Sequence, residues 1–463
     1  MKIIRKTLQL TIWLSACLVT SYSYSNSNVP VGKSSARNTE TSPVPISSHT
    51  FLFRSHPIAY ETAVVRFPTK IAVPPQSPTT PYRDVSPVLL LNGFGVGSFH
   101  QHRLIQALQQ QSDQSTVTDK NSNRDEPASL ATIIYTLDYL GQGRSWPVDS
   151  NDGQSEAELG LRYCGQTWVD QIVAFLETIV LPARESCFSS TRHYTAPPER
   201  VHLVGNSVGG HLAVFVAALR PDLVASVTLL NATPVWGLNL PGWTGHLPAP
   251  FLPKTIGRFL FDQIRNLNTI EQYLAAAYVH REAFDATLMQ QIRACTESQG
   301  GHAAFASILW SPPVTLPTKP NDAPSNTKND YKKINAFDEA LSRLECDVLL
   351  CFGADDPWCK PAFAARMLRA LGQRPTGKVQ RYVELSSVGH CPNHEAPNAV
   401  AYVLLPWLLS SNAQRQQIAL VPAPLSEDKR TSVRETWGVT ELTERQADDI
   451  SLSLVDRLAV LFV

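Results

Sequence analysis

VHLVGNSVGGHLAVFVAAL, residues 201–219, runs from an apolar stretch through a glycine-flanked serine into a second apolar stretch. The first is short enough for a buried strand and the second long enough for a helix, so the serine sits where one becomes the other. A serine hydroxyl is a weak nucleophile until a base takes its proton, and it must stand clear of the backbone to reach a carbonyl carbon. The Gly-x-Ser-x-Gly spacing meets that second need, because Gly205 and Gly209 let strand and helix approach closely while the strained turn projects Ser207. For these five residues alone a glycine-rich turn holding a structural serine is an equal reading, and the flanking strand and helix patterns raise the nucleophile above it. A phosphate loop is disfavoured: no Gly-Lys-Ser/Thr follows, and neither GFGVG nor GQGRS completes GxGxxG.

On either side lie further apolar runs with the length and turn boundaries of buried parallel strands: SPVLLLNGFG from residue 86, ATIIYTLDYLG from 131, ASVTLLNATP from 225 and CDVLLCFGADDP from 346. Helix-like stretches such as FHQHRLIQALQQ and CGQTWVDQIVAFLETIV separate them, and that alternation predicts an α/β sheet. Residues 236–336 are too long for a plain connection, since structureless loops beyond roughly 15 residues are uncommon in compact domains. Helical patterns at TIGRFLFDQIRNL, TIEQYLAAAYV and FDATLMQQIRAC make this interval an inserted helical lid. The chain ends in ADDISLSLVDRLAVLFV, where Ile450, Leu454 and Leu458 recur at helical spacing, a face for docking on the domain itself or on a membrane surface.

An attacking serine generates negative charge on the carbonyl oxygen, which preorganised backbone N–H groups must meet. Val208, directly after the serine at the helix start, supplies one donor, and Phe94 in NGFGVG, after an earlier strand, supplies the second. An acid and then a histidine should follow in chain order. CFGADDPW offers Asp355 and Asp356; Asp356, beside Pro357, is the choice, with Asp355 a solvated turn residue. GHCPNHEAP offers His390, just beyond a strand-like run, and His394 one helical turn later; His390 is chosen as base and His394 kept as the alternative. Asp138 precedes the serine and is read as a structural or pocket-wall residue, and His211, inside the helix, as packing.

Forty Lys and Arg balance forty Asp and Glu, so no basic field attracts nucleic acid. Lys2, Arg5 and Lys6 ahead of an apolar core from Leu8 to Val19 read as a signal peptide over residues 1–25, the core being short of the about 20 residues of a bilayer span. Residues 26–50, rich in Ser, Thr, Asn and Pro, suit a transit peptide or a linker. Together they predict plastid entry through the secretory route, with secretion or an endomembrane location as the rival. Of the eight cysteines none has CxxC spacing, so neither a zinc nor a redox site is expected and no metal is called for.

These motifs resemble the α/β-hydrolase superfamily and, within it, the pheophytinases and related chlorophyll dephytylases of plastids. The likeness rests on NGFGVGSFH (92–100), LDYLGQGRSWP (137–147), LVGNSVGGHLAV (203–214), LLNATPVWG (229–237), AAFASILWSP (303–312), FDEALSRLECDVLLCFGADDPW (337–358) and GHCPNHEAP (389–397). It implies an α/β-hydrolase fold, a mostly parallel sheet flanked by helices; the domain is placed at 51–411 with the lid at 236–336, and the C-terminal extension at 412–463 falls outside the likeness. It implies hydrolysis of a phytyl ester by Ser207, His390 and Asp356 without a cofactor. The departures are Asn92 where the family has Pro, and Asn393 and His394 where it has a His-Asp pair. A large apolar ester needs apolar pocket walls with a few polar anchors. Trp236, Phe305 and Trp310 are the substrate-binding candidates, and Trp243, Phe251, Phe259 and Phe261 are further wall residues or the lid's own core. The alternatives are a general lipase, thioesterase or acyltransferase acting on membrane lipids, and a hydrolase-fold protein that binds a ligand without turnover.

Overall fold

The computed structural model describes residues 43–68, 86–117, 129–146, 162–182, 200–235, 240–244, 246, 250–297, 303–305, 310–317, 336–374, 377–420 and 438–448. Among the described residues, nine strands form one sheet: β1 (Ile46–Phe53), β2 (His56–Pro68), β3 (Val88–Leu91), β4 (Ser129–Leu137), β5 (Val201–Asn206), β6 (Val224–Leu230), β7 (Asp347–Gly353), β8 (Gln380–Ser386) and β9 (Gly438–Leu442). Their order is β1-β2-β4-β3-β5-β6-β7-β8-β9. The run from β4 to β8 is parallel, whereas β1–β2, β2–β4 and β8–β9 pair antiparallel.

The central strands carry apolar residues on both faces because helices cover both. In β3, Val88 and Leu90 join one core with α1 (His102–Val117) and with the long apolar helix Pro397–Leu409, while Leu89 and Leu91 join the other. That second core is closed by α2 (Gly165–Phe175), α3 (Val208–Leu219) and the helices Ala336–Ser342 and Pro361–Leu371. Between β6 and β7 the chain forms α4 (Phe251–Ile264), α5 (Leu267–Ala277) and α6 (Ala286–Ala294). Asn266 caps α5 by accepting from the Asn268 N–H, and Asp285 caps α6 by accepting from Leu288 N–H.

The sheet is wider than expected from the sequence at both ends. Strand β1 begins at Ile46, inside the segment assigned to a linker, so the boundary at residue 51 moves upstream. A tight turn at Arg54 and Ser55, with φ of 48° and 67°, joins it to β2. Residues 412–463 are likewise not a separate extension throughout: Arg415 pairs with buried Asp347 at 2.9 Å and lies over Trp407, and β9 extends the sheet beyond β8. The terminal positions Ile450, Leu454 and Leu458, and the leader, lie outside the described residues. Among the described residues, no helix is long and apolar enough to cross a membrane.

Candidate active site

In an open parallel sheet, side chains on the loops after the strands converge at the carboxyl edge. Here Phe94 follows β3, Ser207 follows β5, Asp356 follows β7 and His390 follows β8. Ser207 holds φ 53° and ψ −116°, a left-handed conformation that a non-glycine residue rarely adopts. Its backbone is fixed from several sides, its N–H donating to Leu230 O at 3.0 Å and its carbonyl accepting from Thr233 N–H at 3.1 Å. The flanking glycines are there for space: a Cβ on Gly205 would lie 2.4 Å from the Gly209 backbone, and one on Gly209 2.4 Å from Leu91 O.

Asp356 is buried, and each of its carboxylate oxygens accepts two hydrogen bonds. Oδ1 accepts from Trp358 N–H at 2.7 Å and Cys359 N–H at 3.0 Å, and Oδ2 lies 2.7 Å from both Asn231 Nδ2 and His390 Nδ1. Burial pushes its pKa up, but His390 and these donors outweigh burial and hold it below the ordinary aspartate value. Asp355 is exposed and accepts from the Ser387 N–H, capping the turn after β8. Cys359, with Asp356 and His390, completes three metal-ligating side chains within 4.8 Å. Yet the carboxylate is already saturated by four donors, the arrangement of an orienting acid rather than a ligand.

Asn206 Nδ2 donates to the His390 carbonyl at 2.9 Å, tying the histidine loop to the residue before the serine. Gly353 lets the two loops meet, since a Cβ there would lie 2.3 Å from Gly389 O. The loop after β3 is equally held. Tyr139 OH donates to Asn92 O, Gly95 N–H to Gln142 Oε1, and Ser98 N–H and Oγ to buried Asp138. Asn92 donates to Leu137 O at 3.0 Å, a bond the family's proline has no donor to make. A Cβ on Gly93 would sit 3.6 Å from Ser207 Cβ, so this loop runs against the serine.

Behind His390 sits a second polar cluster. His394 does not pair with Asp356; it stacks on His100 with ring centroids 4.7 Å apart, and Tyr278 OH lies 2.9 Å from His100 Nε2 and 3.1 Å from His394 Nδ1. Glu395 accepts from Gly389 N–H and His280 N–H, both at 2.7 Å, and His390 N–H donates to Ala277 O. The end of α5 is thereby bonded to the histidine loop.

Burial, with Arg103 nearby, lowers the pKa of His100 to about 3 and of His394 to about 2. Burial likewise lowers His202 to about 3, and His211, stacked on Phe337, to about 4. The unfolded chain takes up these protons near pH 6.5, the folded chain only near 4 or below. Stability is therefore full at neutral pH and falls as the pH drops through that window. Urea unfolding is expected to show a loss of about 1.4 kcal/mol per histidine, up to about 5 kcal/mol in all, between about pH 7.5 and 5.5. A stability that stays flat over that range contradicts the burial of four neutral imidazoles.

Of the substrate-binding candidates, Phe305 is half-buried between Phe94 and Phe261, at centroid distances of 6.4 and 5.9 Å. Trp310 is buried in the main core against Trp243. Trp236 lies outside the described residues. Phe251 and Phe259, read as pocket wall or lid core, are neither; both are exposed. Asn206, Asn231 and Glu395 were missed as site residues, although NATP and GHCPNHEAP drew attention to the segments holding the last two.

The serine turn and the Asp356–His390 pair are joined through Asn206, and the N-terminus of α3 follows directly on Ser207. Residues 88–401 match the Alpha/beta hydrolase family, and the chain belongs to that family. It is 29% identical, over 348 residues, to the chloroplastic pheophytinase of Arabidopsis thaliana, a match covering 70% of this chain and 61% of that protein. The chain thus spans less than two thirds of the relative's length. Among solved structures it is similar to a probable hydrolytic enzyme from Pseudomonas aeruginosa PAO1, at TM-score 0.46 and 17% identity over 80% of this chain and 95% of that one. A lipase-like structure from Acinetobacter baumannii AYE gives TM-score 0.46 and 15% identity over 79% and 91%.

Proposed function

We propose that the protein is a serine esterase that cleaves the phytyl ester of pheophytin or a closely related chlorophyll pigment. The serine-hydrolase reading is carried by the buried Asp356–His390 pair, 2.7 Å apart and bonded through Asn206 to the strained serine turn. With Nδ1 held by Asp356, His390 offers Nε2 to the Ser207 hydroxyl, takes its proton as the oxygen attacks the ester carbon, and returns it to the departing alcohol. Val208 and Phe94 N–H groups receive the developing oxyanion. Phytol leaves, and water activated by the same histidine releases the pigment carboxylate from Ser207. No cofactor takes part in this route.

The pigment assignment is supported by the likeness to a pheophytinase, and a passage for a long apolar alcohol by the aromatic row that runs from Phe94 through Phe305 to Phe261 on the inner face of α4. Helices α4 to α6 act as the lid over that passage. The relative's chloroplast location and the composition of the leader support a plastid location here. The test is a panel of pheophytin, chlorophyll and a short acyl ester given to the purified protein, with phytol release measured by chromatography. Phytol from pheophytin is expected; hydrolysis of the short ester alone would overturn the pigment assignment in favour of a general lipid esterase.

A further inference from the structure

We propose that the outer face of α4 is a docking surface for a lipid bilayer carrying anionic headgroups. Among the described residues, four of the seven exposed large apolar side chains lie on this one helix: Phe251 is 83% exposed, Leu252 64%, Ile256 37% and Phe259 64%. Successive residues in a helix turn by about 100°, which gathers these four into an arc of about 140° on one side. The opposite side carries buried Pro253, Gly257 and Phe261 and is already used in packing. Exposed Thr255, Asp262 and Gln263 also fall within this arc, so its apolar character is carried by Phe251, Leu252, Ile256 and Phe259 toward the start of the helix. An outward cluster of four large apolar side chains on one helix has a partner to find.

Charge identifies that partner. Lys254, Arg258 and Arg265 fall, on the same turn of about 100° per residue, in one narrow row along an edge of the exposed apolar arc. The acidic residue on this helix is Asp262, which lies 3.8 Å from Arg265. Large apolar groups bordered by a row of cations match the boundary between acyl chains and anionic headgroups, where the rings enter the hydrocarbon and the cations stay among phosphates. The inner face leads to the site: Phe261 meets Phe305, and Phe305 meets Phe94 in the loop beside Ser207. A helix seated this way places the bilayer on one side of itself and the passage to the serine on the other. The docking follows from the helix alone; its purpose, delivering a membrane-dissolved ester, rests on the function proposed above.

The test is co-sedimentation of the full chain with sucrose-loaded vesicles of phosphatidylcholine, with and without a third of phosphatidylglycerol. Wild type is expected to sediment with the anionic vesicles. Phe251→Ser with Phe259→Ser should weaken that binding about 30-fold or more. Lys254→Glu with Arg258→Glu should weaken it about tenfold or more on anionic vesicles and leave any binding to neutral ones unchanged. Thermal unfolding and turnover of a soluble short ester at wild-type levels show that both variants are folded. Vesicle binding by the Phe variant equal to wild type overturns the proposal. So does wild type that ignores vesicles but self-associates through these phenylalanines, which would make the face a contact between copies. Because sedimentation needs no hydrolysis, a negative pigment assay and a negative vesicle assay are separate results.

Discussion

Ser207→Ala is expected to lower kcat for ester hydrolysis about 10⁵-fold while the protein stays folded and still binds its substrate. The scale follows from the role: without an oxygen to form the acyl-enzyme, only the oxyanion donors and binding remain, and removal of a triad member leaves the small residue of catalysis that those supply. The fold should survive because the turn is set by backbone contacts, Ser207 N–H to Leu230 O and Thr233 N–H to Ser207 O, and by the space at Gly205 and Gly209. Alanine keeps all of these and differs only at the hydroxyl. Unchanged KM with lost kcat is the signature; turnover near wild type would refute covalent attack by this serine.

Asp356→Asn is expected to cost about 10⁴ in kcat, for a different reason. The carboxylate accepts four hydrogen bonds, from Trp358, Cys359, Asn231 and His390. An amide accepts on one side only. If its oxygen keeps the two backbone N–H groups, its NH2 faces the Asn231 amide donor, and His390 must turn its Nδ1 from donor to acceptor. The tautomer then places a proton on Nε2, where a base is needed. Loss of hydrogen bonds to a buried charge should also cost about 1.5–3 kcal/mol of stability, measurable by urea unfolding. Near wild-type kcat in the Asp356→Asn variant would show that His390 is oriented by something else.

The candidate site was legible because its steric demands are local and severe. Only glycine fits at 205 and 209, so the serine turn is written in five letters, and the acid loop stands at the end of β7, whose continuous apolar run marks it as buried, while the histidine loop follows the mixed, partly buried strand β8. Choosing Asp356 over Asp355 needed only the turn geometry beside Pro357, and the structure buries Asp356 while leaving Asp355 exposed. The β1–β2 hairpin escaped because β1 is exposed along most of its length and its turn, Arg54-Ser55, carries no glycine or asparagine. Strand β9 escaped for the same reason: its five residues bury no side chain fully, and its place comes from backbone pairing with β8. The outward aromatics of α4 were misread because helical spacing says which residues share a face, not which of two apolar faces meets the protein.

The most direct test of the central claim is labelling with a serine-directed fluorophosphonate, followed by peptide mapping and an assay of phytol release on the same sample. Adduct on Ser207, prevented by prior incubation with pheophytin and matched mole for mole by loss of turnover, is the predicted result. Full modification of Ser207 with undiminished phytol release would contradict it.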